Sequence, residues 1–112
     1  MKKIEAIIRK SKFDAVKEAL LEKGITFFSY WDVTGIGNES TGKVYRGVTY
    51  STSDIQRRYI STVVNDDFEE ATIEVLLSFA KTGEVGDGKI FVSDVSEAYR
   101  IRTSEKGGDT LR

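Results

Sequence analysis

RYISTVVNDDFEEATIEVLLSFAKTGEVGDGKIFV, residues 58–92, carries the reading that decides the fold. RYISTVV (58–64) reads as a strand. Asp66 and Asp67 then lead into Phe68, Ala71, Val75, Leu76 and Phe79, an apolar series at helical spacing. Glu69 and Glu70 stand in its first turn, where the helix dipole favours negative charge. IFV (90–92) opens a further strand. Between helix and strand lies Gly86-Asp87-Gly88-Lys89. Asp-Gly is a common turn dipeptide, because glycine supplies positive φ and aspartate bonds its own backbone. From this stretch alone the four residues read first as a tight turn, since turns far outnumber phosphate loops, and only second as a cradle for phosphate.

Working outward, Ile4, Ala6 and Ile8 alternate with Glu5, Ile7 and Arg9, giving a first strand over 2–9. Ser11, with Asp14 three residues on, resembles a helix entry. Phe13, Val16 and Leu20 recur at helical spacing, and Gly24 is a natural stop. A second strand over 26–33 is rich in aromatics (Phe27, Phe28, Tyr30 and Trp31). The order is strand, helix, strand, strand, helix, strand. It predicts an α+β domain with the ferredoxin-like split βαβ arrangement (βαββαβ), an antiparallel four-stranded sheet with two helices on one face. Ile7 and one side of the third strand make the other face too apolar to stand bare, so copies of the same chain are the simplest cover.

The chain has 112 residues, one domain's worth, and a formal charge of -1 from 17 basic and 18 acidic residues. That balance argues against a dedicated nucleic-acid binder. No cysteine or histidine is present. Disulfides, thiolate metal sites, imidazole bases and Ser-His-Asp triads are thereby excluded. The start, MKKIEAIIRKSKFD, has a basic front without a long apolar stretch, and no run reaches bilayer-spanning length. The expectation is a soluble, cytoplasmic chain.

Residues 34–57, TGIGNESTGKVYRGVTYSTSDIQR, break the economy of the fold. Hairpin connections usually take two to five residues, and long loops in compact domains are usually functional or disordered. Glycines, Tyr45, Tyr50, Arg46, Arg57 and the adjoining Arg58 give this one the content of an arm that meets a partner rather than of a linker. Three segments suit a polyphosphate when taken together: Gly35-Ile36-Gly37, Gly86-Asp87-Gly88-Lys89 and Arg100-Ile101-Arg102. Glycines let backbone N–H groups approach an anion, while lysine and arginine add charge and forked donors. Arg100 and Arg102, two apart, share a side in an extended segment. GDGK lacks the G-x-x-x-x-G-K-[ST] order and opens a strand, so a P-loop is rejected. No pair of carboxylates is marked out for catalysis, so a nucleotide could be bound without turnover.

The whole chain resembles the PII nitrogen-regulatory signal transduction proteins. Thr82, Gly86, Asp87, Gly88, Lys89, Ile90, Phe91 and Val92 meet that family's second signature in full. Tyr45, Arg46, Gly47 and Tyr50 meet part of its first, with Val48 and Thr49 departing. RIRTSEKG resembles the family's RIRTGE, with Ser104 in place of a glycine. The resemblance implies a non-catalytic homotrimer of single domains (1–112), with a T-loop at 37–56, a B-loop at 82–89 and a C-terminal loop and tail at 100–112. It implies ATP or ADP between subunits, held by Gly35, Gly37, Asn38, Gly86, Asp87, Gly88, Lys89, Arg100 and Arg102. It further implies Mg²⁺ with ATP and 2-oxoglutarate beside it, regulation of nitrogen assimilation, and binding of partners such as an ammonium channel through the T-loop. Glu39 stands where the family's Mg²⁺- and 2-oxoglutarate-holding glutamine is expected, and Arg57 where its lysine is. A carboxylate there still ligates Mg²⁺ but repels a dicarboxylate. Tyr50 matches a tyrosine that is modified in some relatives. Two other classes remain on the same fold. An acylphosphatase-like enzyme would use an arginine to hold phosphate. An RNA-binding module would need a basic, aromatic sheet face.

Overall fold

The computed structural model describes residues 1–36 and 56–112 in full, and the backbone of 43–45, 48–50 and 55. The chain runs β1 (Lys2–Ile8), α1 (Phe13–Glu22), β2 (Ser29–Gly35), β3 (Lys43–Tyr45), β4 (Val48–Tyr50), β5 (Ile55–Val64), α2 (Glu69–Ala80) and β6 (Lys89–Asp94). β2, β5, β1 and β6 form one antiparallel four-stranded sheet in that order, and β3 pairs with β4 in a separate ribbon. The expected ferredoxin-like arrangement is the one observed.

Period-two alternation in β1 buries Ile4, Ala6 and Ile8 on the side that carries both helices. They meet Phe13, Val16, Ala19 and Leu20 of α1, Val75, Leu76 and Ala80 of α2, and Ile60 and Val64 of β5. Two threonines share this core without an unmet hydroxyl. Thr62 Oγ1 donates to the Phe27 carbonyl at 2.6 Å and Thr72 Oγ1 to the Phe68 carbonyl at 2.7 Å. Such bonds offset the cost of burying a polar group. At the edge, the Arg58 guanidinium lies 4.6 Å from the Phe13 ring centre and donates through Nε to Asp32 at 2.9 Å.

The opposite face is the second half of the same alternation. The ring of Trp31 stacks on Tyr59 at 4.6 Å, and Ile7, paired with Tyr59 and Lys89, lies on the same side. The Tyr59 hydroxyl donates to the Glu5 carboxylate, which raises the phenol above its ordinary pKa. Trp31 is 48% and Phe91 50% exposed, so this face of the single chain presents large rings to water. That bears out the expected apolar second face.

Several local expectations shift. Ser11 does not cap α1: Lys10–Lys12 form a 3₁₀ turn, and the helix begins at Phe13 without a side-chain cap. Asp66–Phe68 likewise form a 3₁₀ turn before α2. Phe79, placed by periodicity on the apolar series, is 47% exposed, whereas Thr72 is buried. β2 starts at Ser29, so Phe27 and Phe28 precede it, and Phe27 is exposed. The long connection narrows to 36–54, because β2 and β5 continue their pairing out to Gly35 and Ile55.

After β6 the chain folds back on itself. Tyr99 bridges Lys106, Arg100 N–H donates to the Glu105 carbonyl at 2.8 Å, and Ser104 N–H to the Arg100 carbonyl at 2.8 Å. Ser104 closes this turn at φ +61°, a left-handed conformation that costs a residue with a Cβ about 1–2 kcal/mol. Its place in the turn explains why a glycine suits the position. Ser104→Gly is therefore expected to stabilise the protein by about 0.5–1 kcal/mol, the relief being partly offset by glycine's greater unfolded-state entropy. Urea unfolding of the two proteins under one set of conditions measures it.

Candidate functional site: the loop between α2 and β6

The loop from Lys81 to Lys89 is organised around one carboxylate. Asp87 Oδ2 accepts from the backbone N–H of Thr82 at 2.8 Å and of Gly83 at 2.9 Å. Its Oδ1 accepts from the Thr82 hydroxyl and from Arg9 Nε, the latter at 3.0 Å. Thr82 Oγ1 in turn accepts from Glu84 N–H at 3.1 Å. The Thr82 hydroxyl, and after it the Thr82 amide, Arg9 and the Gly83 amide, hold the Asp87 carboxyl far below the usual carboxylate range. The aspartate of Gly-Asp-Gly-Lys is thus spent on shaping the loop.

The glycines have distinct jobs. Gly88, at φ +96°, lies so close to β1 that a Cβ built on it would stand 1.6 Å from the Ile7 carbonyl oxygen. Gly86, at φ +102°, makes the turn that presents its own carbonyl to Arg57 Nε at 3.1 Å. Arg9 Nη2 holds the preceding carbonyl, that of Val85, at 3.0 Å. Lys89 then enters β6 opposite Ile7 with its side chain exposed. Beside the loop is a cleft of about 380 Å³, its floor apolar (Ile7, Leu76, Leu77 and Ile90) and its rim formed by Lys81, Asp87 and Lys89. Backbone N–H groups, a lysine and an apolar floor suit a ligand with an anionic end and a flat or apolar one.

The residues expected to hold phosphate are not all brought together in one chain. Gly35 ends β2 at the same end of the sheet as Lys89, since β1 and β2 both run toward that end and β6 runs away from it. Arg100 and Arg102 follow β6, past Asp94, which pairs with Lys2 at the opposite end. Five residue steps along β6 put roughly 17 Å between those ends. The two arginines also sit in a turn, not in the extended segment that would align them. Arg100 is held within that turn, reaching Glu105 and the Asp109 carbonyl, both at 3.3 Å. Near it a second groove, of about 470 Å³, is lined by Phe27, Val63, Asn65, Phe68 and Arg112 among others.

Gly37, Asn38, Glu39, Arg46 and Gly47 lie outside the described residues, as do the side chains of Tyr45 and Tyr50. The assignments made to them from sequence therefore fall there too. Arg9 was not singled out in the sequence, and its role rests on register. Ile8 pairs with Arg58, so the next residue of β1 falls beside Arg57. Only a correct pairing of β1 with β5 would have shown that two arginines share one loop.

Comparison with known proteins is consistent along the whole chain. Residues 1–105 match the sequence profile described as "Nitrogen regulatory protein P-II". Proteins of that name are similar to the chain in Azospirillum brasilense (46% identity over 112 residues, 99% of this chain and 100% of the relative) and Cereibacter sphaeroides (44%, with the same coverage). The protein of that name from Klebsiella oxytoca is 43% identical over 107 residues, 95% of this chain and 96% of the relative.

Gly88→Ala is expected to destabilise the protein by on the order of 2–4 kcal/mol or to displace the loop from β1, since strain and a backbone clash coincide. Amide exchange at Ile8 and Lys89, read beside chemical unfolding, separates the two effects. Asp87 also carries a pH signature. Its pKa is lowered on folding, so its stabilisation is complete above the ordinary carboxylate pKa and is lost as pH falls toward the folded value. The stability difference between the wild type and Asp87→Asn should be flat from neutral pH to about 5 and shrink below about pH 4. Urea unfolding across that range is the measurement.

Proposed function

Because the chain belongs to the P-II family of nitrogen regulatory proteins, we propose that it senses ATP and ADP, which compete for the loop formed by Gly86, Asp87, Gly88 and Lys89. The observation that carries this reading is the loop itself: a backbone turn stiffened by Asp87, opening onto an apolar cleft, with Lys89 at its exit. Gly35 at the same sheet end agrees with it. The far placement of Arg100 and Arg102 points to a second copy as their route to the same nucleotide. A homotrimer packed through the Trp31, Tyr59, Ile7 and Phe91 face would cover exposed rings and bring one copy's loop toward the next copy's arginines. Forked donors from the second copy and backbone donors from the first would then share the phosphates.

Mg²⁺ would arrive with ATP, and its protein ligand in this reading is Glu39. 2-Oxoglutarate would bind beside it, with Arg57 as the cationic partner of a carboxylate. The signal would pass through residues 37–56. A ligand that favours one arrangement of that segment shifts the population offered to a partner by its differential affinity. The partner class is a protein of nitrogen metabolism, an ammonium channel among the candidates, met through Tyr45, Arg46, Gly47 and Tyr50. The family is one of regulators, and membership in it sets aside the acyl-phosphate hydrolase reading. Among the described residues no helix is long and apolar enough to cross a membrane.

Calorimetry with ATP, ADP, and ATP plus 2-oxoglutarate, each with Mg²⁺, tests the reading. ATP and ADP are expected to displace one another, and Lys89→Ala to weaken both about tenfold or more. A 2-oxoglutarate signal is expected only when Mg-ATP is present. No heat from either nucleotide at millimolar concentration would sink the nucleotide assignment. Sedimentation at the same protein concentration reads the trimer independently.

A further inference from the structure

Two guanidinium groups grip consecutive carbonyls of the same loop from behind. Arg9 Nη2 donates to the Val85 carbonyl at 3.0 Å, and Arg57 Nε to the Gly86 carbonyl at 3.1 Å. The arginines come from neighbouring strands, Arg9 directly after β1 and Arg57 within β5, which the antiparallel register sets side by side. Both peptide bonds are trans, so in each the carbonyl and the following N–H point in opposite directions. Aiming the Val85 carbonyl at Arg9 turns the Gly86 N–H away from the sheet. Aiming the Gly86 carbonyl at Arg57 does the same for the Asp87 N–H. Among the described residues, none accepts a hydrogen bond from either N–H.

We propose that Arg9 and Arg57 are positioning residues of the anion site: by fixing two carbonyls inward they hold the Gly86 and Asp87 N–H groups outward, as a preformed pair of donors for a phosphate oxygen. This rests on the nucleotide reading given above. Two further contacts of the pair fit the role. Arg9 Nε also holds the Asp87 carboxylate, locking the side chain of the residue whose N–H is presented. Arg57 Nη1 donates to the Gln56 carbonyl at 2.9 Å, so the guanidinium is braced against its own strand. β5 is the strand that leaves the long connection, and Arg57 therefore joins that connection's exit to the orientation of the loop's donors. Such preorganisation removes a reorientation cost at the moment of binding.

The test uses full-length protein with ATP and with inorganic triphosphate, comparing the wild type with Arg9→Met, Arg57→Met, Arg57→Lys and, as a charge control, Lys12→Met. Affinity is read by calorimetry at two salt concentrations. The carbonyl ¹³C shifts of Val85 and Gly86 and the amide exchange of Gly86 and Asp87 are read by NMR without ligand. Each methionine variant is expected to shift its own carbonyl and to bind triphosphate at least about tenfold more weakly, with Arg57→Lys recovering part of the loss and Lys12→Met losing little. Tight wild-type binding that survives both methionine variants would overturn the positioning role and leave the nucleotide reading standing. Loss of affinity equal in Lys12→Met, with unmoved carbonyl shifts, would overturn it in favour of charge alone. A wild type that binds neither ligand would overturn both.

Discussion

The register of β1 against its two neighbours is the constraint on which the rest depends. Ile7 faces Tyr59 on one side and Lys89 on the other, in one row across the sheet. A slip of one residue would send Ile4, Ala6 and Ile8 to the helix-free face and strip the core. The same slip would move Arg9 away from Arg57 and take the Ile7 carbonyl from beneath Gly88. Core and loop are thus fixed by one set of pairings. The hydrophobic effect makes that register costly to lose, and the polar site is aligned by it at no separate expense.

The Gly-Asp-Gly-Lys segment is a turn first, and the phosphate reading is a proposal built on that turn. It is a turn, because Gly86 and Gly88 supply positive φ and Gly88 must pass within touching distance of a strand carbonyl. It also has the means to be a cradle, because the turn is held from inside by a carboxylate and from behind by two guanidinium groups. The ionised Asp87 occupies the Thr82 and Gly83 amides, so those donors belong to the protein's own anion. A ligand must use others. That division of labour within one short loop follows from the finite number of N–H groups and their opposed directions in trans peptides.

The chain has a closed core on one side of its sheet and exposed rings on the other. Among the described residues, its helix side closes on thirteen buried apolar ones, while its other side leaves Trp31 and Phe91 half exposed and relies on Glu5 to satisfy the Tyr59 hydroxyl. Basic residues likewise stand at both ends of the sheet, Lys89 and Arg57 at one and Arg100 and Arg102 at the other. Strand length alone keeps them apart. The exposed rings and the separated charges both follow from one antiparallel sheet that carries its helices on a single face.

Much of this was legible in the sequence. Ile4-Ala6-Ile8, Phe13-Val16-Leu20 and Val75-Leu76 fixed which elements exist and which faces are buried, because periods of two and 3.6 are local consequences of backbone geometry. Gly86-Asp87-Gly88-Lys89 marked the loop by its residue types. The start of α1, the exposure of Phe79 and the first residue of β2 were misplaced, since 3₁₀ turns and neighbouring elements override local preference at element ends. What only the tertiary structure decided was companionship. Arg9 joins Asp87 and Val85 across more than seventy residues, and Arg57 reaches Gly86, while Arg100 and Arg102 turn out to lie at the far end. Sequence carries the chemistry of each side chain, but which side chains meet is set by strand register, and register is a property of paired strands rather than of either one.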